Sequence, residues 1–329
     1  MRVALVGSGI AGLSHALDIV TSPELEFTAV CSRTRSRAAE LAGRFGVPRV
    51  FRSVTELLDA ECCDAVVVAV PPAATLPIVL ACRERSLRIM AEKPVARSAS
   101  ELPLVEEVSR GVLAPFNRRY LAHVREAVEA VHGGAIGAIR QVDARWVGPY
   151  LERYAPGAPT YRARAGRRQG LLVDTGSHVL DALSWVMGPV RPLPGCRMEF
   201  NARGAEVGFD LLMRNGDGAT ASVRAEGKGG EERWEIRVTG DRGQATLGPD
   251  TAEVRAGTRR TRLAARPVRR PVDDLLIGWR GEQVWGPSPA ELVRLSETLV
   301  GVYDLVDADA RTRWLRPRFK PWGRLNGSC

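Results

Sequence analysis

The sequence predicts an α/β fold in two parts, a doubly wound parallel sheet at the N-terminus and then an α+β domain with a mostly antiparallel sheet. Three observations carry this. Residues 1 to about 115 alternate short apolar runs with helix-like stretches, a glycine turn joins the first run to the first helix, and from Met198 to Arg255 the pattern becomes strand after strand. The 329 residues exceed one small core and fit two domains, placed at 1–117 and 118–329.

In chain order, strands are expected at Arg2 to Val6, Phe27 to Cys31, Asp64 to Val70 and Leu87 to Ala91. The third is apolar almost throughout, as a strand covered on both faces should be. Helical spacing falls at Ile10 to Val20, Arg35 to Phe45, Val54 to Leu58 and Thr75 to Glu84. Beyond Asn117 come a helix (Leu121 to Val131), an alternating strand (Ile139 to Val147) and a loop from Gly148 to Gly170 rich in Arg, Pro and Tyr. A second helix, Asp174 to Met187, is stopped by Gly188-Pro189. Asn215-Gly216 and Asp241-Arg242-Gly243 mark hairpin turns, and Arg259 to Arg270 reads as a basic loop. Few helices cover the second sheet, so one face needs a partner and a homodimer or homotetramer is expected.

Composition removes several function classes. The net charge of +9 comes from basic residues interleaved with acids, unlike a nucleic-acid patch. The start lacks the long apolar core of an export signal, and Ala65 to Cys82 holds three prolines, unsuited to crossing a membrane. A cytoplasmic protein with no membrane partner is expected. Cysteines at 31, 62, 63, 82, 196 and 329 lack paired spacing, and four scattered histidines (15, 123, 132 and 178) cannot supply a metal set, so no metal is expected.

The strand Arg2 to Val6 runs into Gly7-Ser8-Gly9-Ile10-Ala11-Gly12 and then a helix, the dinucleotide fingerprint in its proper context. The glycines allow the tight turn, the approach of backbone to pyrophosphate and the packing of helix on strand, and the helix N-terminus faces the phosphates. At the end of the second strand, where an NAD-preferring site presents a carboxylate to the ribose, stands Cys31-Ser32-Arg33-Thr34. No carboxylate repels a 2′-phosphate there, and Ser32 and Arg33, with Arg37 nearby, can bind one, so NADP(H) is favoured over NAD(H). The bland alternative is a solvated arginine in an arginine-rich chain.

Lysine occurs only at 93, 228 and 320 among the 47 basic residues. Lys93, in Glu92-Lys93-Pro94, ends a strand on the edge where parallel sheets bind ligands, and an amine can exchange a proton where a guanidinium cannot. Taken alone, it reads equally as a surface lysine. Asp174, His178 and Asp181 are spaced i, i+4 and i+7, one face of a helix, with histidine suited to general acid–base work and carboxylates to holding a substrate hydroxyl. The alternative is a capping aspartate beside a satisfied core histidine.

Together these residues resemble the Gfo/Idh/MocA family, named for glucose-fructose oxidoreductase, inositol dehydrogenase and rhizopine catabolism. The likeness rests on the glycine turn at 7–12, Pro71-Pro72, Glu92-Lys93-Pro94, Asn117-Arg118-Arg119-Tyr120 and Gly170-Leu171-Leu172-Val173-Asp174-Thr175-Gly176-Ser177-His178. It implies a Rossmann domain followed by a domain with a large open sheet, whose Asp174/His178 helix faces the nicotinamide and Lys93. It implies dinucleotide contacts at Val70, Pro71, Glu92 and Lys93, and places Asn117 and Arg118 near substrate. Ser32-Arg33 resembles the NADP-using branch, which includes nucleotide-sugar ketoreductases. The chain departs from the pattern at Ala74-Thr75-Leu76, where a histidine is frequent, at Arg168-Gln169-Gly170, where a glycine run is reduced, and in a short stretch from Ser98 to Val112.

The expectation is an NADP(H)-dependent oxidoreductase acting on a carbonyl or carbinol carbon of a polyhydroxylated small molecule: a sugar, cyclitol or nucleotide sugar. Lys93, Asp174 and His178 are the expected catalytic groups, with Asn117, Arg118, Tyr150, Tyr161 and Asp181 toward substrate. The loop arginines 153, 162, 164, 167 and 168 suit either a phosphate or plain solvation. Two rival functions are an imine or ketone reductase on a non-sugar metabolite and a non-catalytic NADP sensor, which would need the glycine turn but not the acid–base set.

Overall fold

The computed structural model describes residues 1–308 except 156, 159, 228, 229, 267 and 268, and omits the side chain of Arg164. Its first part alternates β1 (Arg2–Val6), α1 (Ile10–Val20), β2 (Glu26–Cys31), α2 (Arg35–Phe45), β3 (Arg49–Phe51), α3 (Val54–Asp59), β4 (Ala65–Val68), α4 (Pro72–Glu84), β5 (Arg88–Ala91), α5 (Leu102–Val108) and β6 (Val112–Leu113). The strands form one parallel sheet in the order β3-β2-β1-β4-β5-β6, doubly wound about β1 and β4. The apolar runs read as strands are its buried centre, β4 being buried at every residue. The short β3 and β6 at its edges carry too few residues for a periodicity and were not expected. Helix α4 begins at Pro72, earlier than its apolar spacing indicates, because a proline lacks only an N–H that the first turn leaves unused.

The second part runs through α6 (Ala122–His132), β7 (Ile139–Gly148), α7 (Tyr150–Arg153), α8 (Ser177–Met187), β8 (Val190–Pro192), β9 (Arg197–Phe200), β10 (Glu206–Asn215), β11 (Thr220–Gly227), β12 (Arg233–Gly240), β13 (Gly243–Leu247), β14 (Thr251–Ala256), β15 (Arg259–Ala264), α9 (Asp273–Trp279) and α10 (Pro289–Ala308). Its nine-stranded sheet follows β15-β14-β13-β12-β7-β11-β10-β8, with β9 also on β10. Every pairing is antiparallel except β7 with β11. Arg259–Ala264, expected as a loop, is the edge strand β15. It is held to β14 by backbone pairing while nearly all its side chains face water, so hydrophobic pattern is silent about it.

The packing does not divide at residue 117. Val272, Leu275 and Leu276 around α9 pack with Val3, Leu5, Val30 and Val67 on one face of the parallel sheet. Arg270 donates to the Asp18 carbonyl at 3.1 Å, and the Arg88 guanidinium lies 4.9 Å from the Trp279 ring centroid. The other face shares a continuous core with α8, α10 and the buried side of the large sheet. Cys31, Cys62, Cys63, Cys82 and Cys196 are free and buried, while Cys329 lies outside the described residues. No described helix is long and apolar enough to cross a membrane.

Candidate active site

The turn after β1 separates the roles of its three glycines. Gly7 has φ +119°, and a Cβ there would stand 2.1 Å from the Ala69 carbonyl oxygen. A Cβ at Gly12 would meet the Gly7 oxygen at 2.2 Å, so these two glycines bring helix, turn and sheet together. Nothing lies within 4 Å of a Cβ at Gly9, which opens onto solvent. Ile10 is 73% exposed, Ala11 is exposed, Ser8 half-buried, and no side chain caps the start of α1. Its first amide N–H groups are therefore available to an anion, and the residues fit a dinucleotide phosphate.

Ser8 Oγ donates to Ser32 Oγ at 2.9 Å, tying the turn to the end of β2. Arg33 and Arg37 beyond it are exposed. Val70 and Pro71 follow β4 on the same sheet edge, both half-buried. Glu92, after β5, is spoken for inside the protein: its Oε1 pairs with His15 Nε2 at 2.8 Å. Burial pushes the Glu92 carboxyl up, but His15 and Lys93 outweigh it and hold the group below its usual range. The other histidines are also structural, His123 against the Gly248 carbonyl and His132 against that of Val186.

Lys93 reaches across to the second part. Its Nζ donates to the Asp174 carbonyl oxygen at 3.0 Å and lies 3.4 Å from Asp174 Oδ1, both side chains being about nine-tenths buried. Asp174 sits in a single π-helical turn, Leu172–Gly176, ahead of α8. Its Oδ2 accepts from Arg162 Nε at 2.7 Å and from the Tyr154 hydroxyl at 3.2 Å. Burial alone would raise its pKa; Lys93 and Arg162 overcome that and leave it far below the ordinary carboxylate value. Asp174 is thus a permanent acceptor.

His178, one turn on, has a different set of neighbours. The edge of its ring meets Phe116, with centroids 5.7 Å apart at 84°. Burial, with Lys93 and Arg118 nearby, depresses its pKa well below 6.5, so the imidazole is neutral near pH 7. Its Nδ1 is buried with no partner among the described residues.

The expected polar stripe does not continue to Asp181. That carboxylate is buried and accepts from Arg119 Nε at 3.0 and 3.1 Å, while Arg119 also pairs with Glu291 of α10 at 2.9 Å. The π turn carries one residue more per turn than an α-helix, so spacing across 174–181 no longer maps onto one face. Asp181 is an interior ion-pair residue.

Asn117 is exposed and accepts from Arg118 Nη1 at 2.9 Å. Tyr150 is fully buried, packed over Gly148, whereas Tyr161 is 38% exposed beneath the Arg162 guanidinium. The four described arginine side chains of the 150–168 loop are each held by a carboxylate. Arg153 pairs with Glu232 at 2.7 Å, Arg162 with Asp174, Arg167 with Asp307, and Arg168 with Asp304 at 2.7 Å. Arg162 and Tyr154 were visible in the sequence only as members of this basic, aromatic segment. Nothing in their spacing joins them to Asp174, because the loop folds back before the contact exists. Gly170 completes this geometry: its N–H donates to Glu206 Oε2 at 2.7 Å, and a Cβ would lie 2.3 Å from the Glu206 nitrogen.

A glycine cradle open at a helix N-terminus, facing an amine, a fixed carboxylate and a neutral imidazole, defines a dinucleotide-dependent oxidoreductase. Family models agree: "Oxidoreductase family, NAD-binding Rossmann fold" matches residues 1–109 and "GFO/IDH/MocA C-terminal domain" matches 124–246. The chain belongs to the Gfo/Idh/MocA family. D-xylose 1-dehydrogenase (NADP(+)) 2 of Haloferax volcanii is 24% identical over 68% of this chain and 69% of its own length. D-glucoside 3-dehydrogenase of Escherichia coli is 31% identical over 57% of this chain, which spans 54% of that relative. Among solved structures, the WlbA dehydrogenase of Bordetella pertussis, in complex with NADH and UDP-GlcNAcA, shares the fold at TM-score 0.78. It is 21% identical, covering 93% of this chain and 96% of its own.

Proposed function

We propose that this chain is an NADP(H)-preferring oxidoreductase of a carbinol or carbonyl carbon on a sugar, cyclitol or nucleotide-linked sugar. One observation carries the reading: Lys93, which follows a strand of the parallel sheet, lies within hydrogen-bonding distance of Asp174, one turn before His178 in the second part. When bound, a nicotinamide dinucleotide supplies the hydride exchange at the substrate carbon. Gly7 to Gly12 and the start of α1 would hold its pyrophosphate, and Ser32, Arg33 and Arg37 its 2′-phosphate.

The protein's own groups then manage one proton. Lys93 Nζ has three hydrogens and two acceptors on Asp174, which leaves one to hold the substrate oxygen. Asp174, fixed by Arg162 and Tyr154, positions the amine and does not itself change charge. The neutral His178 takes the hydroxyl proton as the alcohol is oxidised and returns it when the carbonyl is reduced. In the same reading the chain works in the cytoplasm as a homodimer or homotetramer, joined over the sheet face that its helices leave open.

Comparing NADPH and NADH oxidation across a panel of keto-sugars and ketocyclitols tests the proposal. NADPH should be preferred, and Arg33→Ala should weaken it about tenfold or more while sparing NADH, as expected for a lost charge-assisted phosphate contact. Equal use of both coenzymes, unchanged in the variant, would refute the NADP assignment. Dinucleotide binding without turnover on any member of the panel would refute the enzymatic one.

A further inference from the structure

Next to His178 a recess opens between the Asn117–Tyr120 turn and the start of β12, lined by Asn117, Arg118, Leu121, Glu232 and Trp234. Its position follows from the chain: Phe116 packs on His178, and two residues later Arg118 packs on Trp234. Arg118 is also near enough for its charge to act on the His178 imidazole. Trp234 is paired across the strands with Trp146, their rings nearly parallel with centroids 5.7 Å apart, which sets a rigid aromatic wall.

Arg118 is the unusual group in that wall. It is about nine-tenths buried, and its guanidinium lies 5.7 and 5.9 Å from the centroids of Trp234 and Trp146. The guanidinium lies beside this pair of rings and lines the recess. Among the described residues, one of its five donors is met at hydrogen-bonding distance, by Asn117 Oδ1. Its ion-pair partner, Glu232, stands 3.5 Å away and is held more closely by Arg153 at 2.7 Å. Arg118 and Arg153 therefore share the Glu232 carboxylate, while Asp181 and Asp174 act on Arg118 only from beyond ion-pair distance.

We propose that this recess is a carboxylate-binding subsite, so that the substrate is a sugar acid whose ring lies against Trp234 and whose carboxylate takes the free edge of Arg118. A planar carboxylate matches the guanidinium fork bidentately, and the C–H face of a sugar ring suits an indole. This rests on the oxidoreductase reading above for its substrate but not for its binding test.

Isothermal titration and tryptophan fluorescence of the full chain, with D-glucuronate against D-glucose and D-gluconate against D-glucitol, measure the subsite directly. Each acid should bind about tenfold or more tighter than its neutral counterpart, the worth of one good bidentate contact. Arg118→Lys should erase most of that difference, and the surface control Arg259→Met should leave it. Glu232→Gln, which removes the competing carboxylate, should strengthen acid binding, a gain that misfolding cannot imitate. Equal binding of acid and neutral sugar, or a preference retained in Arg118→Lys, overturns the proposal. Turnover of neutral sugars without acid preference sinks the subsite and spares the oxidoreductase; acid binding without turnover does the reverse.

Discussion

At the scale of single residues, Asp174 shows how one side chain acquires a role from partners far away in sequence. Three donors converge on it, Lys93 just after β5 and Tyr154 and Arg162 of the 150–168 loop, and the charge of Lys93 and Arg162 outweighs the cost of burial. Lys93→Met removes the amine beside Asp174 and should lower kcat by roughly 10²–10⁴-fold, the usual worth of acid–base help. A steady-state rate close to that of the parent would contradict the role. His178 makes a further prediction about pH. Its pKa in the folded protein lies below the ordinary 6.5, so below that pH the unfolded chain binds a proton that the native one refuses. Stability therefore falls as pH drops from 6.5 toward the folded value, by up to about 1.4 kcal/mol per pH unit from this group. Thermal melts from pH 7.5 to 5 should show a shallower decline in His178→Asn; identical slopes would mean another group controls the acid limb.

At the scale of elements, the glycine turn and the π turn are where local geometry becomes function. Gly7 and Gly9 are both glycines of one motif, yet their surroundings differ: one is crowded by Ala69, the other open. Gly7→Ala should destabilise the fold by about 1–3 kcal/mol, because it combines a strained φ with a clash against backbone. Gly9→Ala should leave Tm within about 1 °C and still weaken dinucleotide binding, since its Cβ intrudes only on the ligand's approach. Melting curves paired with NADPH titration separate the two, and a stability loss in Gly9→Ala would disprove the distinction. The π turn shifts Asp174 relative to α8, so α-helical counting from it to Asp181 fails, and Asp181 is taken up in the interior by Arg119.

At the scale of the molecule, the parallel sheet is completed by a helix from the far end of the chain. Leu275 is 2% exposed against residues of β1, β2 and β4, and Leu275→Ala should cost about 2–5 kcal/mol. Because α9 covers the cofactor-side sheet, the loss should appear in a single urea transition with NADPH binding weakened beside it. A separate early transition that leaves binding intact would show the two parts to be independent.

Periodicity and turn chemistry alone carried the centre of the parallel sheet, the glycine cradle, the succession of late strands and the positions of Lys93, Asp174 and His178, because each depends on residues adjacent along the chain. The strands β3, β6 and β15 escaped, being too short or too exposed for burial to leave a pattern. Only the tertiary fold decided that Arg162 and Tyr154 serve Asp174, that Asp181 serves Arg119, that the described loop arginines are already paired, and that Arg118 is not fully matched among the described residues. The reason is physical: charge and hydrogen bonding act through space over a few ångströms, and in this chain these partners lie 12 to 140 residues apart in sequence and meet only when it folds.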